Sequence, residues 1–145
     1  MEESEEFLTH EEEQEIVAAI QLAEKETSGE IRVHIEKQTP IDPFDRAMEV
    51  FELLKMGETQ LKNGVLIYLA VNNRSFIICG DRGINEVVPA NFWDSTKVAM
   101  AAQFKQGKFK QGLIDGIICA GQQLKAHFPC LENNTNELSN DISKG

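Results

Sequence analysis

The sequence predicts an α/β fold, a single domain built on a small mixed β-sheet flanked by helices. Helical and strand patterns alternate along the chain, one apolar run has the length of a buried strand, and two asparagines join that run to another strand. A chain of 145 residues is long enough for one such domain to bury a core without staples. The expected boundaries are an acidic lead-in over 1–6, the domain over 7–129 and a disordered tail over 130–145.

The beginning of the domain predicts a helix followed by a strand. Thr9 and Glu12 have the spacing of a capping box, and apolar residues then recur at helical spacing to about Lys25. The breaker segment Thr27–Gly29 separates this helix from residues 31–36, where apolar and polar side chains alternate. That alternation predicts a half-buried strand.

The middle of the chain predicts a second helix and a β-hairpin. Asp42 followed by Pro43 is a helix start, and the expected buried stripe of this helix contains Phe44, Ala47, Met48, Phe51 and Leu54. The unbroken apolar run Val65–Val71 predicts a central strand covered on both faces. Asn72 and Asn73 tolerate positive φ and predict a tight hairpin into a third strand.

The C-terminal half predicts helices and then a tail. A short helical turn is expected near Ile84, and two longer helices lie on either side of Gly107. Three glycines within the last helix predict close backbone packing; they are Gly112, Gly116 and Gly121. From Cys130 onward the sequence has no periodicity and too little apolar surface to offset its chain entropy, which predicts disorder.

Charge and composition exclude several classes of function. The net charge of −10 disfavours a nucleic-acid surface, which needs clustered Lys and Arg. No apolar stretch approaches the 18 residues of a membrane-spanning helix, and the acidic start does not resemble a signal peptide. The three cysteines are odd in number and widely spaced. A soluble, cytoplasmic protein with reduced cysteines and no nucleic-acid partner is therefore expected.

The predicted topology gathers polar residues at one rim of the sheet. A crossover makes the first two strands parallel and the hairpin makes the third antiparallel, so the C-terminal end of the third strand lies beside the N-terminal ends of the others. The rim then contains Glu30, Asn63, Asp81 and Glu86. Such hard oxygen donors suit calcium or magnesium, although helix capping by Asp81 and a simple turn at Asn63 explain the same residues. Both interpretations remain open at this point.

The residues also resemble a known family as an ordered set. The segments that carry the resemblance are Thr27–Val33, Lys62–Val71, Asn72–Arg74, Gly80–Ile84 and Phe109–Leu113. This set is similar to the TPM domain over about residues 7–129. The resemblance implies an αβα sandwich with a small mixed central sheet, and it implies binding of a divalent cation.

Carried onto this sequence, the resemblance implies a metal site with Glu30, Asp81 and Glu86 as carboxylate ligands and Asn63 or backbone carbonyls completing the shell. Calcium is the expected ion, with magnesium as the other candidate, and the few carboxylates predict weak binding, of order 0.1 to 1 mM. Family members include acid phosphatases and modulators of membrane receptors. Many members also have an aspartate after the proline that follows the glycine motif, where this chain has Ala90 and Asn91.

Two functions follow from the resemblance. The favoured one is a non-catalytic regulatory or adaptor module that binds a cation and a membrane-associated or other protein partner. The alternative is a metal-dependent acid phosphatase acting on phosphomonoesters, in which the ion polarises phosphate and activates water. Nucleotide-binding and nucleophile-elbow motifs are absent from the sequence, and His34, in the middle of a strand, does not supply a general acid at the rim.

Overall fold

The alternating patterns fold into three layers, with the sheet between two layers of helices. The structure, a computed structural model, describes residues 8–130 and 139–144. The predicted lead-in and residues 131–138 of the predicted tail lie outside the described residues. The elements in chain order are α1 (His10–Ala23), β1 (Glu30–Glu36), α2 (Pro43–Leu53), β2 (Gly64–Ala70), β3 (Ser75–Gly80), α3 (Arg82–Asn85), α4 (Asp94–Phe104), α5 (Phe109–Lys125) and β4 (Ser143–Lys144).

The sheet has the strand order β3-β2-β1-β4. β1 and β2 are parallel and β2 and β3 are antiparallel, which confirms the predicted crossover and hairpin. The residue with positive φ in the hairpin is Arg74, at 52°, and not Asn72 or Asn73 as the sequence predicted. The left-handed position of this turn falls at its last residue, immediately before β3 begins.

Each face of the sheet has its own core. The larger core contains apolar residues of α1, α4 and α5 together with the side chains that β1 and β2 direct to that face, including Ile20, Val33, Ile67, Met100 and Ile117. The smaller core lies under α2 and contains Ala47, Val50, Phe51, Leu66, Tyr68 and Cys79. The two cores confirm the mixed sheet with helices on both sides.

Local signals set the starts of two helices. Thr9 and Glu12 form both hydrogen bonds of a capping box at α1. Asp42 caps α2, and Pro43 occupies the first turn. The predicted stripe of α2 was wrong at Phe44 and Met48, which are 56% and 41% exposed. α2 buries a narrower stripe, Ala47, Val50 and Phe51, and packs mainly on β2 and β3.

Two of the predicted close glycine contacts join α4 to α5. A Cβ built on Gly116 would lie 2.4 Å from Sδ of Met100, and one on Gly112 would lie 2.4 Å from the ring of Phe104. Real side chains do not approach this closely. Glycine therefore lets the two helices lie nearer than any larger residue would allow.

Two residues of the segment 130–145, for which the sequence predicts a disordered tail, lie in a strand. Ser143 and Lys144 form β4, which pairs in parallel with His34 and Ile35 of β1, and Ile142 packs against the larger core. The pairing uses an edge of the sheet that is distant in sequence, so no local pattern indicates it. Each helix within the described residues is too short or too polar to span a lipid bilayer.

Candidate functional site

The rim predicted from the topology exists, and three strands meet there in register. Glu30 lies opposite Gly64, and the N–H of Asp81 donates to the carbonyl of Gly64 at 2.9 Å. Residues in one row across a sheet direct their side chains to the same face, and neighbouring strands are ~4.8 Å apart. Glu30 and Asp81 therefore share a face, the one covered by α2, with the bare backbone of Gly64 between them.

Asp81 is both a helix cap and a potential ligand. Its Oδ1 accepts a hydrogen bond from the backbone N–H of Arg82 at 2.7 Å, which begins α3 as predicted for a cap. Its Oδ2 is buried and has no hydrogen-bond partner among the described residues. A Cβ built on Gly57 would lie 4.0 Å from this oxygen. An unpaired, buried carboxylate oxygen is costly and favours a cation or water beside it.

Two loops cross at this point. The N–H of Gly83 donates to the carbonyl of Lys62 at 2.8 Å, and a Cβ on Gly83 would lie 2.2 Å from the carbonyl oxygen of Leu61. The ammonium of Lys62 donates to the carbonyl of Gly57. The segment 57–63 thus passes the turn 81–83 in direct backbone contact.

The other two predicted ligands have different surroundings. Asn63 is buried; its side-chain amide donates to Oγ of Ser28 at 3.4 Å and its carbonyl accepts from Glu30 at 3.3 Å. Glu86 is exposed at the C-terminal cap of α3. Within residues 8–130 and 139–144, no three acidic, histidine or cysteine side chains form a group that could hold a metal ion. Glu30 and Asp81 thus share one row of the sheet and Asn63 precedes that row, while Glu86 is exposed.

A second polar cluster, which the sequence analysis missed, lies further along the same face of β1. The Glu36 carboxylate accepts from Nε of Arg46 at 3.0 Å, from Nε2 of His34 at 3.1 Å and from the hydroxyl of Tyr68. Nδ1 of His34 is 2.9 Å from Oγ of Ser143. His34, Glu36 and Tyr68 are all buried.

Mutual contacts set the charges in this cluster. Burial opposes ionisation of Glu36, but the hydrogen bonds from Arg46, Tyr68 and His34 prevail and hold its pKa below the usual value. Burial lowers the pKa of His34 despite the neighbouring Glu36. The pKa of Tyr68 is raised by burial and by its bond to Glu36. At the centre of the cluster is the ion pair between Glu36 and Arg46, and His34 and Tyr68 donate further hydrogen bonds to the same carboxylate. These contacts are structural and hold α2 against the sheet.

The alternating pattern of β1 could not reveal this cluster. Alternation predicts that the polar side chains of the strand face solvent, whereas Glu30, His34 and Glu36 are each at most 5% exposed. One sign was available: Arg46 lies four residues after the helix cap Asp42, on the side of α2 that meets the sheet. A basic residue at that position predicts an acidic partner on the strand below.

Another ionisable side chain, that of Glu24, lies at the edge of β1 that faces away from β2. Oε2 of Glu24, just after α1, accepts from the N–H of Ile31 at 3.0 Å. Burial, with a smaller contribution from Glu30, raises the pKa of Glu24 to about 7 although the Ile31 bond opposes the shift. The carboxyl therefore exchanges its proton near neutral pH.

Comparison with known proteins decides the family. The family profile described as the TPM domain matches residues 1–123. The chain belongs to the TPM domain family. An NMR structure of the BA42 protein from the psychrophilic bacterium Bizionia argentinensis is 60% identical, with a TM-score of 0.92 and 96% of each chain covered. β4 lies beyond the residues that the TPM profile matches.

Two more distant structures share the fold. The N-terminal domain of a protein from P. gingivalis is 17% identical with a TM-score of 0.71, covering 88% of this chain and 83% of that one. The N-terminal domain of the cg2496 protein from Corynebacterium glutamicum is 14% identical with a TM-score of 0.64, covering 95% and 80%. A comparison with curated proteins finds no match.

Proposed function

We propose that this TPM domain is a non-catalytic regulatory or adaptor module that binds a divalent cation where segments 57–63 and 81–86 cross. The observation that carries the proposal is Oδ2 of Asp81, a buried carboxylate oxygen with no partner among the described residues. Membership of the TPM family supports it as well. The partner is a membrane-associated or other protein that recognises the surface these loops present.

The donors available at the rim favour calcium, with magnesium as the second candidate. They are carboxylate and carbonyl oxygens, which hard cations prefer over softer metals. Asp81 is the anchoring ligand, Glu30 occupies the same row of the sheet across Gly64, Asn63 precedes Gly64, and Glu86 contributes from an exposed position. Water completes the shell. Binding is therefore weak, about 0.1–1 mM.

Binding at a loop crossing explains how a cation could regulate the domain. Gly83 lies against the backbone of Leu61 and Lys62, so a charge change at Asp81 acts on both segments together. A bound cation offsets the negative charge at the buried Oδ2 of Asp81, which would otherwise destabilise the crossing. The fraction of molecules in which the two loops form an ordered surface then rises with the calcium concentration.

The test compares two aspartates that cap helices. Calcium at saturating concentration is expected to raise the melting temperature of wild type by mass action and to shift amide resonances of residues 57–63 and 81–86. Asp81→Asn is expected to lose both effects, because the amide retains the cap but not the charge. Asp42→Asn is the matched control: it caps α2 in the same way, far from the rim, and should respond like wild type.

Two results would contradict the cation site. A full calcium response in Asp81→Asn would show that Asp81 does not anchor the ion. Amide shifts confined to the acidic residues of α1 would show that the ion binds there instead. Glu30→Gln and Glu86→Gln then rank the remaining ligands, with the larger loss of affinity expected at Glu30. Magnesium titrations run in parallel identify which ion binds more tightly.

The phosphatase alternative has less support. Two side chains on this face could transfer protons, His34 and Glu36, and they are hydrogen-bonded to each other. Glu36 also accepts from Arg46 and Tyr68, and His34 also contacts Ser143. Metal-dependent hydrolysis of an aryl phosphate that is lost in Asp81→Asn would favour the phosphatase over the adaptor. No hydrolysis with calcium or magnesium, under conditions where calcium binding is seen, would favour the adaptor.

A further inference from the structure

The edge of β1 that faces away from β2 is covered by a side chain at one end and by a short strand further along. At its beginning, the N–H of Ile31 is bonded to the carboxylate of Glu24, a side chain and not a strand. Further along, the two residues of β4 pair with His34 and Ile35. Exposed strand edges pair readily with other chains, and proteins commonly block them in this manner.

β4 is held at this edge by three side-chain contacts. Ile142 packs against the larger core, Oγ of Ser143 lies 2.9 Å from Nδ1 of His34, and Nζ of Lys144 lies 2.6 Å from Oε2 of Glu13 in α1. The segment 142–144 therefore presents an apolar, a hydroxyl and a basic residue in consecutive positions. A groove of about 660 Å³ continues beside it, lined by Gln14, Val17 and Gln21 of α1.

The backbone pairing of β4 is weak. Parallel pairs are less stable per residue than antiparallel ones, and a strand of two residues forms few ladder bonds. Its side-chain contacts are also partly exposed, since the side chains of Lys144 and Glu13 are 34% and 22% accessible. A longer segment with the same sequence of side chains would pair over more of the edge and bind better.

We propose that this edge of β1 is a binding site for an extended, basic segment of another protein, and that β4 occupies the site as an internal competitor. The partner strand runs parallel to β1, places an apolar residue at the position of Ile142 and a lysine or arginine near Glu13. The net charge of the chain, −10, and the carboxylate of Glu13 beside the edge favour a basic partner. Recognition is strand addition, with backbone bonds giving affinity and side-chain contacts giving specificity.

The test measures competition in the full-length protein. Ile142→Asp is expected to release β4, because it would put a charge against the apolar core. The probe is a labelled peptide with the sequence of residues 139–145. It should bind Ile142→Asp at least about tenfold more tightly than wild type, whose own tail is present at roughly millimolar effective concentration. Amide shifts should map to His34, Ile35 and the Glu13 region of α1.

A second variant and a second peptide complete the design. Lys144→Glu reverses the charge facing Glu13 and should give a smaller gain in peptide affinity without disturbing the core. A peptide in which aspartate replaces the isoleucine and glutamate replaces the lysine should not bind. Equal binding of the first peptide to all three proteins, no binding to any of them, or shifts away from β1 and α1 would overturn the proposal.

Sedimentation of wild type and Ile142→Asp tests the other occupant. Wild type is expected to be monomeric at the concentrations of the titration. A dimer that is lost in Ile142→Asp would assign the edge to the tail of a second copy and would likewise overturn the proposal. The proposal does not rest on the cation site, because calcium binding at Asp81 can fail while the peptide still binds at β1.

Discussion

At the scale of single residues, Glu24 couples the stability of the fold to pH. Its carboxyl is only partly accessible, and burial raises its pKa to about 7. The unfolded chain loses this proton near pH 4.5, so the folded state binds more protons between these values. The contribution of Glu24 is therefore fully present at low pH and is lost as the pH rises toward 7.

Glu24→Gln is expected to remove this dependence. The amide oxygen still accepts from the Ile31 N–H, but no charge is buried above pH 7. The variant should be more stable than wild type at pH 8 by roughly 1–2 kcal/mol, after allowing for partial solvent screening, and equal to it near pH 4. Urea denaturation across this range measures the difference. Glu52→Gln, at an exposed position of α2, should leave the curve unchanged, and a parallel shift of both variants would argue against Glu24 as the cause.

At the scale of elements, glycine sets the distance between α4 and α5. Met100 is fully buried, and its thioether occupies the space beside Gly116. Alanine raises helix propensity by about 1 kcal/mol over glycine, so propensity alone predicts that Gly116→Ala stabilises the domain. The 2.4 Å approach to Sδ predicts the opposite, because a buried methionine has no open space to enter.

Gly116→Ala is therefore expected to destabilise the domain by roughly 1–3 kcal/mol in chemical denaturation. Gln122→Ala, at an exposed position of the same helix, serves as the control and should change stability by less than about 0.5 kcal/mol. The cost of Gly116→Ala should shrink in a Met100→Ala background, because the contact is then absent. An unchanged cost in that background would show that Met100 is not the opposing group.

At the scale of the whole molecule, the domain core and β4 differ in their importance. The buried residues of both cores lie between Leu8 and Leu124, with Phe128 and Ile142 packed at the margin of the larger core. Truncation after Cys130 is expected to preserve cooperative unfolding and to lower the melting temperature by roughly 3–8 °C, equivalent to about 1–2 kcal/mol. The loss comes from the burial of Ile142 and the pairing with His34 and Ile35.

Thermal melts and amide exchange check this expectation. Exchange should accelerate at the β1 edge in the truncated chain and stay unchanged in β2. Lys144→Ala removes only the ion pair with Glu13 and should cost less than about 1 kcal/mol. Loss of cooperative unfolding after truncation would mean that β4 is part of the core, and an unchanged melting temperature would mean that its pairing contributes nothing.

Signals that act over a few residues were sufficient for most of the fold. The capping box at Thr9, the Asp42 cap, the apolar run of β2 and the asparagines of the hairpin each predict an element from neighbouring residues. Crossover and hairpin geometry then place Glu30 and Asp81 in one row, and the structure has them there. For this part of the site, connectivity alone implies which strand ends meet.

Tertiary structure decided which side chains are buried and what they contact. Alternation in β1 gave no sign that Glu36 lies beneath Arg46 and Tyr68, because the segments that cover a strand are distant in sequence. The same holds for Oδ2 of Asp81, whose surroundings come from the loop at Gly57, and for Ser143, which pairs across 109 positions with His34. The sequence by itself determined the elements and their order, since those follow from local periodicity and turns. Burial and unpaired edges depend on long-range packing, and only the folded chain determines them.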